Sequence, residues 1–255
     1  MSTLVDRIVA NILRLEVRLW ACQARLQAHT DPEALHDLRT TVRRLRSLLR
    51  PLRGLPGVMQ LEMTASQVGA FTTPLRDLEV LAAYLQQHGH HGLAAPRLDQ
   101  LSGAYASVAD SAQLTQLLMI IDVFPRFMRA AEHQGLLKGL RKGVEKVLEK
   151  QWFTLEKALN DPGHDRHRVR LLIKRVRYSA EAYPELNRLP TVVSNRLKAA
   201  QKALGDWHDA WQWLRQAEQQ PDLQPCVALW RDTLARAEKE ADHALIKLTA
   251  ACFHA

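Results

Sequence analysis

Two segments of this sequence are near copies of each other, and any fold of the chain has to accommodate both. The first copy follows Asp31-Pro32 and the second follows Asp161-Pro162. Their basic residues keep identical spacing at an offset of 131 residues. Such an internal repeat predicts two structural units of the same kind. The shared positions are His36, Arg39, Arg43 and Arg46 in the first copy and His167, Arg170, Lys174 and Arg177 in the second.

Further matches extend the repeat over most of the chain. Tryptophans precede both copies, and a glutamine and an aspartate follow both, in the pairs Trp20/Trp152, Gln67/Gln201 and Asp77/Asp209. No long polar linker separates the copies. We therefore predict a single domain over residues 1–255, made of a half-repeat 1–134 and a half-repeat 135–255, with a groove between two helical bundles.

Apolar residues recur at spacings of three and four between small clusters of glycine and proline, a pattern typical of α-helices. Few segments alternate with period two, so no sheet is expected. The predicted fold class is all-α with two pseudo-symmetric halves. Helices are predicted at 3–29, 32–53, 58–72, 75–88, 97–133, 135–160, 163–188, 191–204, 206–219 and 225–253.

Positive charge is concentrated in the two copies. The chain carries a formal net charge of +8. Residues 36–53 hold six arginines and one aspartate, for +5, and residues 163–181 hold six basic and two acidic side chains, for +4. The rest of the chain therefore sums to −1. An excess of positive charge confined to two segments predicts anionic partners at those segments.

The basic residues of the first copy form a stripe along one helix face. The stripe His36, Arg39, Arg43, Arg46 and Arg50 spans a sector of roughly 80° at about 100° per residue. It flanks the apolar face, and its neighbours repel one another because they carry the same sign. A bound polyanion would relieve this repulsion, since guanidinium groups donate charge-assisted hydrogen bonds to phosphate oxygens. The alternative is neutralisation by carboxylates of other helices.

Each stripe begins with a histidine near a predicted helix N-terminus. Such a histidine could bond within the cap region, donate to phosphate or ligate a metal. If it faces phosphate, the anion favours the charged imidazole, so we expect ligand binding to take up protons. In the second stripe Glu181 stands where the first has Arg50, and this carboxylate could pair with Arg177.

Composition excludes several classes of protein. The three cysteines include no CxxC pair, which argues against a disulfide framework or a cysteine-based zinc site. No run of 18 apolar residues occurs, so neither a membrane span nor a signal peptide is predicted. The expected location is the cytoplasm.

Motifs of catalysis are missing from the sequence. It contains no GxxxxGK[ST], GxGxxG or GxSxG, and no carboxylate cluster accompanies the arginines to hold metal ions for phosphoryl transfer. The histidines of QQHGHHG at 86–92 are interpreted as a surface loop rather than a metal site, and Trp207 and Trp211 as core residues rather than a stacking platform. We therefore predict a binding protein without enzymatic activity, metal or cofactor.

At these residues the sequence resembles the conserved histidine α-helical domain family, CHAD. HDLRTTVRRLRSLLR at 36–50 and HRVRLLIKRVRYSAE at 167–181 carry the resemblance. PLRDLEVL at 74–81 and LKAAQKALGDWHDA at 197–210 match the trailing elements of its repeats. The resemblance implies two four-helix-bundle-like halves around a basic central channel that binds inorganic polyphosphate, in association with polyphosphate granules and their proteins.

The resemblance also assigns residues to the channel. They are the two stripes with Tyr178, namely His36, Arg39, Arg43, Arg46, Arg50, His167, Arg170, Lys174, Arg177 and Tyr178, together with Lys198 and Lys202. The weaker candidates are Arg76 of the Arg-Asp element and, from heptad-like spacing in the first and sixth predicted helices, Arg14, Arg18, Lys138 and Lys142, for which a solvated outer face is the alternative. Two positions depart from the family pattern: Thr73 stands where the second half has Gly205, and His208 stands where the first half has Arg76.

Sequence-independent binding of an RNA or DNA backbone is the alternative function, since the same charges suit any phosphate chain. Tyr178 is the one aromatic residue beside the stripes, which argues against stacking of single-stranded bases. Nucleic acid is therefore expected only as a weaker competitor of polyphosphate.

Overall fold

A computed structural model of the chain describes residues 3–29, 31, 33–161 and 163–253. Over these residues the chain is helical, and a single bridge between Arg53 and Leu55 is its one β-type pairing. The all-α prediction is thus confirmed. Pro32 and Pro162, which belong to the Asp-Pro pairs of the repeat, lie outside the described residues.

The described residues form nine α-helices. Short 3₁₀ segments follow α2 at Arg50–Leu52 and α7 at Pro184–Leu186, and a third precedes α9 at Pro221–Cys226. In chain order the helices are α1 (Leu4–Ala28), α2 (Ala34–Leu49), α3 (Val58–Gln87), α4 (His91–Ala109), α5 (Ala112–His133), α6 (Leu140–Leu159), α7 (Arg166–Ala182), α8 (Thr191–Ala217) and α9 (Val227–Phe253). None of them is long and apolar enough to cross a membrane.

The chain divides into two compact units, Met1–Val144 (unit 1) and Glu145–Ala255 (unit 2). The division lies inside α6, later than the midpoint near residue 134 that the repeat indicates. In unit 1, α1 packs against α2, α4 and α5, and α3 packs against the same three helices. Aliphatic side chains without solvent exposure, among them Ile12, Leu38 and Leu61, form its core.

In unit 2 the central helix is α8, which packs against α7 and α9. The core joins Leu155 of α6, Ile173 of α7, Leu197 and Leu204 of α8 and Leu245 of α9, all at most 3% exposed. Trp207 packs against this cluster, as predicted, whereas Trp211 is 37% exposed. The apolar positions of α7 thus face the core and leave its basic positions at the edge.

Several predicted helix boundaries are wrong. The predicted breaks before Pro74 and at Gly205 do not occur, because α3 and α8 run through them. Extensive packing along both helices outweighs a proline or glycine in the interior. The single helix predicted at 97–133 is two helices, since the chain turns at Asp110 and the Ser111 side chain caps α5 by accepting from the amide of Leu114.

The start of α2 and its end are both fixed by ion pairs. Arg25, in the last turn of α1, binds Asp31 and Asp37, the second at 2.8 Å. At the other end α2 stops at Leu49, and Arg53 turns away to pair with the buried carboxylate of Glu62 in α3. Arg53 therefore lies apart from the stripe, and the helix predicted at 32–53 ends four residues early.

Candidate functional site

The α2 stripe lies at the border between core and solvent. His36, Arg39, Arg46 and Arg50 are half-buried and Arg43 is exposed. Arg44, on the other side of the helix, is also exposed. His36 lies in the first turn of α2, as the sequence predicts. Most stripe members therefore lie partly against the protein, whereas Arg43 extends into solvent.

Arg39 is anchored by uncharged oxygens of α3. Its Nη1 donates to the carbonyl of Gly69 at 3.0 Å, to the Thr72 hydroxyl at 2.8 Å and to the Thr73 hydroxyl at 3.1 Å. Burial lowers the pKa of Arg39, and the positive charges of Arg76 and Arg43 act in the same direction while Asp77 opposes them. A guanidinium held mainly by neutral groups keeps its positive charge available to an anion.

The anchor of Arg39 coincides with the proline inside α3. Pro74 has no amide hydrogen, and its ring disturbs the hydrogen bonds of the preceding helical turn. In that turn the carbonyl of Gly69 accepts from the Thr73 hydroxyl at 2.8 Å as well as from Arg39. The buried Thr72 hydroxyl donates to the carbonyl of Val68 at 2.8 Å. The TTP sequence thus provides the oxygens that hold the second stripe residue.

The remaining arginines of the α2 stripe differ in their surroundings. Arg43 reaches solvent, and its Nη2 donates to the Thr40 hydroxyl at 3.3 Å. The Nε of Arg46 is buried and has no hydrogen-bond partner among the described residues. Nη1 of Arg46 lies 3.7 Å from the place that a Cβ at Gly69 would take. Arg46 thus crosses the surface of α3 beside the Arg39 anchor.

The α7 stripe has the same character in unit 2. His167 is exposed in the first turn, where its amide donates to the capping carboxylate of Asp165 at 2.9 Å. Arg170, Lys174 and Arg177 are half-buried. The predicted pair of Arg177 with Glu181 is confirmed, since Nε and Nη2 donate to one carboxylate oxygen at 3.0 and 2.9 Å.

Tyr178 is 8% exposed, and its hydroxyl accepts a hydrogen bond from Gln201 of α8 at 3.1 Å. The guanidinium of Arg177 lies 5.3 Å from the centre of its ring. The ring therefore packs between helices and supports Arg177 by a cation–π contact. Its low exposure leaves little of the ring for stacking with a base.

His208 of α8 faces the α7 stripe and is the most perturbed group there. It is 9% exposed, and its ring centre lies 5.4 Å from that of His167 and 5.8 Å from that of Trp211. Burial, followed by the positive charges of Arg170, His167 and Lys174, lowers the pKa of His208 to about 4. His208 is therefore a neutral imidazole at physiological pH among several cations.

One position of the repeat has a similar neighbour in both units. Arg76 of unit 1 and His208 of unit 2 each precede the aspartate of their repeat. Arg76 acts on the pKa of Arg39, and Arg170 acts on the pKa of His208. The side chain before the aspartate thus lies near the second stripe residue in both units. Arg76 is also bound to the buried Glu79 at 2.8 Å.

The other candidates lie at the surface. Lys138 precedes α6, so its predicted position within that helix is wrong. Arg14 donates to Asn11 at 3.0 Å, and Lys202 pairs with Asp206 at 2.8 Å within its own helix. Exposed pairs of this kind contribute little to stability. All these side chains are exposed, namely Arg14, Arg18, Lys138, Lys142, Lys198 and Lys202.

The sequence did not identify three side chains as parts of the site. Thr72 and Thr73 hold Arg39, and His208 adds a titratable group beside the second stripe. The departures from the repeat pattern at Thr73 and His208 were the available signal. No group of three or more histidine, cysteine or acidic side chains suited to a metal ion occurs in the described part of the chain.

Comparison with known proteins identifies the family to which this architecture corresponds. The family model of the CHAD domain matches residues 11–218. Among solved structures, the chain is similar to the crystal structure of the CHAD domain from the plant Ricinus communis, with a TM-score of 0.74 and 24% sequence identity. That match covers 98% of this chain and 91% of the plant chain. At this identity the likeness shows the fold alone. No curated protein matches the sequence.

Proposed function

Because this chain belongs to the CHAD domain family, we propose that it binds inorganic polyphosphate through its two basic stripes, without catalysing a reaction. The proposal includes one domain of two related halves whose stripes line a basic channel. It also includes a cytoplasmic location at polyphosphate granules, where the ligand is concentrated and granule proteins would be neighbours.

The observation that best supports the proposal is the lowered pKa of the buried His208. Its pKa of about 4 reflects burial together with the charges of Arg170, His167 and Lys174. These cations gather around one buried imidazole beside the exposed His167. A polyanion laid along α7 would therefore lie close to several positive charges at once.

The geometry of the stripes suits a linear phosphate chain. Residues of an α-helix rise about 1.5 Å each, so the basic positions from Arg39 to Arg50 extend over about 16 Å. Anchoring of Arg39 by Gly69, Thr72 and Thr73 fixes its guanidinium before any ligand arrives. Binding then costs less side-chain entropy than it would with a freely moving arginine.

The proposed binding differs from nucleic-acid binding in its use of aromatic groups. Proteins that bind single strands without sequence preference stack bases on exposed rings. Tyr178 of the α7 stripe is buried and accepts a hydrogen bond from Gln201, and the partly exposed Trp211 is already stacked on His208. Polyphosphate needs no stacking, so it is favoured over RNA of equal charge.

Charge reversal at two neighbouring positions of α2 that point about 100° apart tests the proposal. Arg43 and Arg44 are adjacent, exposed arginines, and only Arg43 belongs to the stripe. A charge-assisted hydrogen bond contributes about 1.5–3 kcal/mol. Arg43→Glu should therefore weaken binding of long-chain polyphosphate by at least about tenfold. Arg44→Glu, the matched control with the same change in net charge, should cost far less.

The measurement is a salt titration of binding to long-chain polyphosphate, with RNA of equal phosphate content as competitor. Binding should weaken steeply with salt because counterions are released. Equal losses in the two variants, or ready displacement by RNA, would contradict a stripe specific for polyphosphate. Release of phosphate after addition of magnesium or manganese would contradict the absence of catalysis.

A further inference from the structure

Unit 2 contains a cavity on the side of α7 that faces away from the basic stripe. Its volume is about 380 Å³, within the range of small-molecule sites. At 100° per residue, the cavity residues Val176, Ser179 and Ala180 lie on the face of α7 opposite to Lys174. Residues of α6, the segment Leu186–Pro190, Val193 of α8 and the end of α9 complete the walls.

Two buried polar side chains in the cavity wall each have an oxygen without a hydrogen-bond partner in the described part of the chain. Ser179 is 2% exposed and Gln151 is 7% exposed. Neither the Ser179 Oγ nor the Gln151 Oε1 has a hydrogen-bond partner among the described residues. A buried polar atom left unpaired costs about 1–3 kcal/mol, so such atoms usually have a partner. Both atoms can accept a hydrogen bond from a guest molecule.

The rim of the cavity is acidic, in contrast to the chain as a whole. Glu145, Glu149 and Glu156 line it, and Arg188 is the one basic residue among the lining side chains. Arg188 lies 3.7 Å from Glu149, but both side chains are about two-thirds exposed or more, so the pair is weak. The rim thus carries a net charge of −2 in a protein of net charge +8.

The walls of the cavity are apolar and aromatic. Trp152, Leu186 and Val193 contribute to them, and Cys252 lies at the end of α9. Burial, together with the charge of Glu156, raises the pKa of Cys252 to about 11. The thiol is therefore neutral at physiological pH and adds no charge to the site.

We propose that this cavity is a second ligand site, which binds a small amine with an apolar body and a single positive charge. The apolar body packs between Trp152 and Val193, and the ammonium group lies at the rim near Glu145 and Glu156. A donor on the ligand satisfies the Ser179 hydroxyl or the Gln151 carbonyl oxygen. A polyanion is excluded here because the rim would repel it.

Three probes of one shape and different charge test the proposal on the full chain. They are 4-phenylbutylamine, 4-phenylbutanol and 4-phenylbutyrate, and calorimetric titration at pH 7 measures their binding. The amine should bind saturably, and the alcohol should bind more weakly. The acid should bind weakest, with an affinity at least about tenfold below that of the amine. Equal binding of all three, or no saturable binding of the amine up to millimolar concentration, would overturn the proposal.

Two substitutions locate the bound amine. Glu156→Gln should weaken binding of the amine by about tenfold and leave binding of the alcohol unchanged. Glu240→Gln, at an exposed position, serves as a control with the same change in charge. Ser179→Ala should weaken binding of tyramine, an amine whose phenol can donate to the Ser179 hydroxyl, by about two- to tenfold, and should leave binding of 4-phenylbutylamine unchanged. It removes an unpaired oxygen, so unaltered thermal unfolding would show that the fold is intact.

This site is independent of the stripes, so its test is separate from that of polyphosphate binding. Arg43→Glu should leave binding of the amine unchanged, because Arg43 belongs to unit 1 and the cavity to unit 2. An amine whose affinity falls equally in Glu156→Gln and Glu240→Gln would be held by general charge alone, which refutes the site.

Discussion

Replacement of His208 should remove a specific loss of stability at acidic pH. The pKa of His208 is about 4 in the folded chain against an ordinary value of 6.5. Between these two values the unfolded chain holds a proton that the folded chain does not, so the free energy of unfolding falls as the pH falls. At 1.36 kcal/mol per pKa unit, the full difference amounts to at most about 3 kcal/mol.

At pH 5 the unfolded imidazole is almost fully protonated and the folded one is still mostly neutral. The expected loss between pH 7 and pH 5 is then at most about 2 kcal/mol from this residue. His208→Gln keeps a polar side chain of similar size and does not titrate. Its stability should therefore decline less than that of the wild type over this interval, and the two curves should differ by that amount.

Urea unfolding at pH 7, 6 and 5 provides the measurement, followed by tryptophan fluorescence and circular dichroism. The exposed His243 in the same unit offers a control, since His243→Gln removes one histidine outside the site. If His208→Gln retains the full acid sensitivity of the wild type, His208 is not held neutral by its surroundings. That result would also remove the observation on which the proposed function rests.

Two further predictions concern the supports of the fold near the stripes. Tyr105→Phe removes the hydrogen bond of 2.7 Å that the tyrosine hydroxyl donates to the buried Glu79, the partner of Arg76. It should lower the free energy of unfolding by about 1–3 kcal/mol in urea titration. Arg166→Met breaks the two-point ion pair with Asp242, at 2.9 and 2.8 Å, that connects α7 to α9. Because both side chains are about one-third exposed or more, a loss of at most about 1 kcal/mol is expected, and a double-mutant cycle with Asp242→Asn should recover the pairing energy.

The sequence was sufficient to predict the all-α fold class and the residues that share one face of α2 and of α7. Periodicity fixes which residues share a face, and the alternation of Leu38, Val42 and Leu45 with Arg39 and Arg43 places the stripe beside the core. The pair of Arg177 with Glu181, four residues apart on one helix, followed from an equally local rule. Each of these features depends on residues within one or two helical turns.

Features that depend on contacts between helices could not be predicted from the sequence. The continuity of α3 through Pro74 results from packing against α2, α4 and α5, which no local rule contains. The roles of Thr72 and Thr73 arise because α3 brings them to Arg39, about thirty residues away along the chain. The cavity of unit 2 likewise has walls from four helices, so it cannot be predicted from any single segment of the sequence.

The repeat makes the difference between Arg76 and His208 informative. In unit 1 the position holds a permanent charge, which the buried Glu79 balances. In unit 2 it holds an imidazole that stays neutral because it is buried and because the positive charges of Arg170, His167 and Lys174 oppose its protonation. A phosphate bound at the α7 stripe would offset that repulsion and raise the pKa of His208. The second unit would then gain positive charge only when its anion is present, whereas the first unit carries its charge at all times.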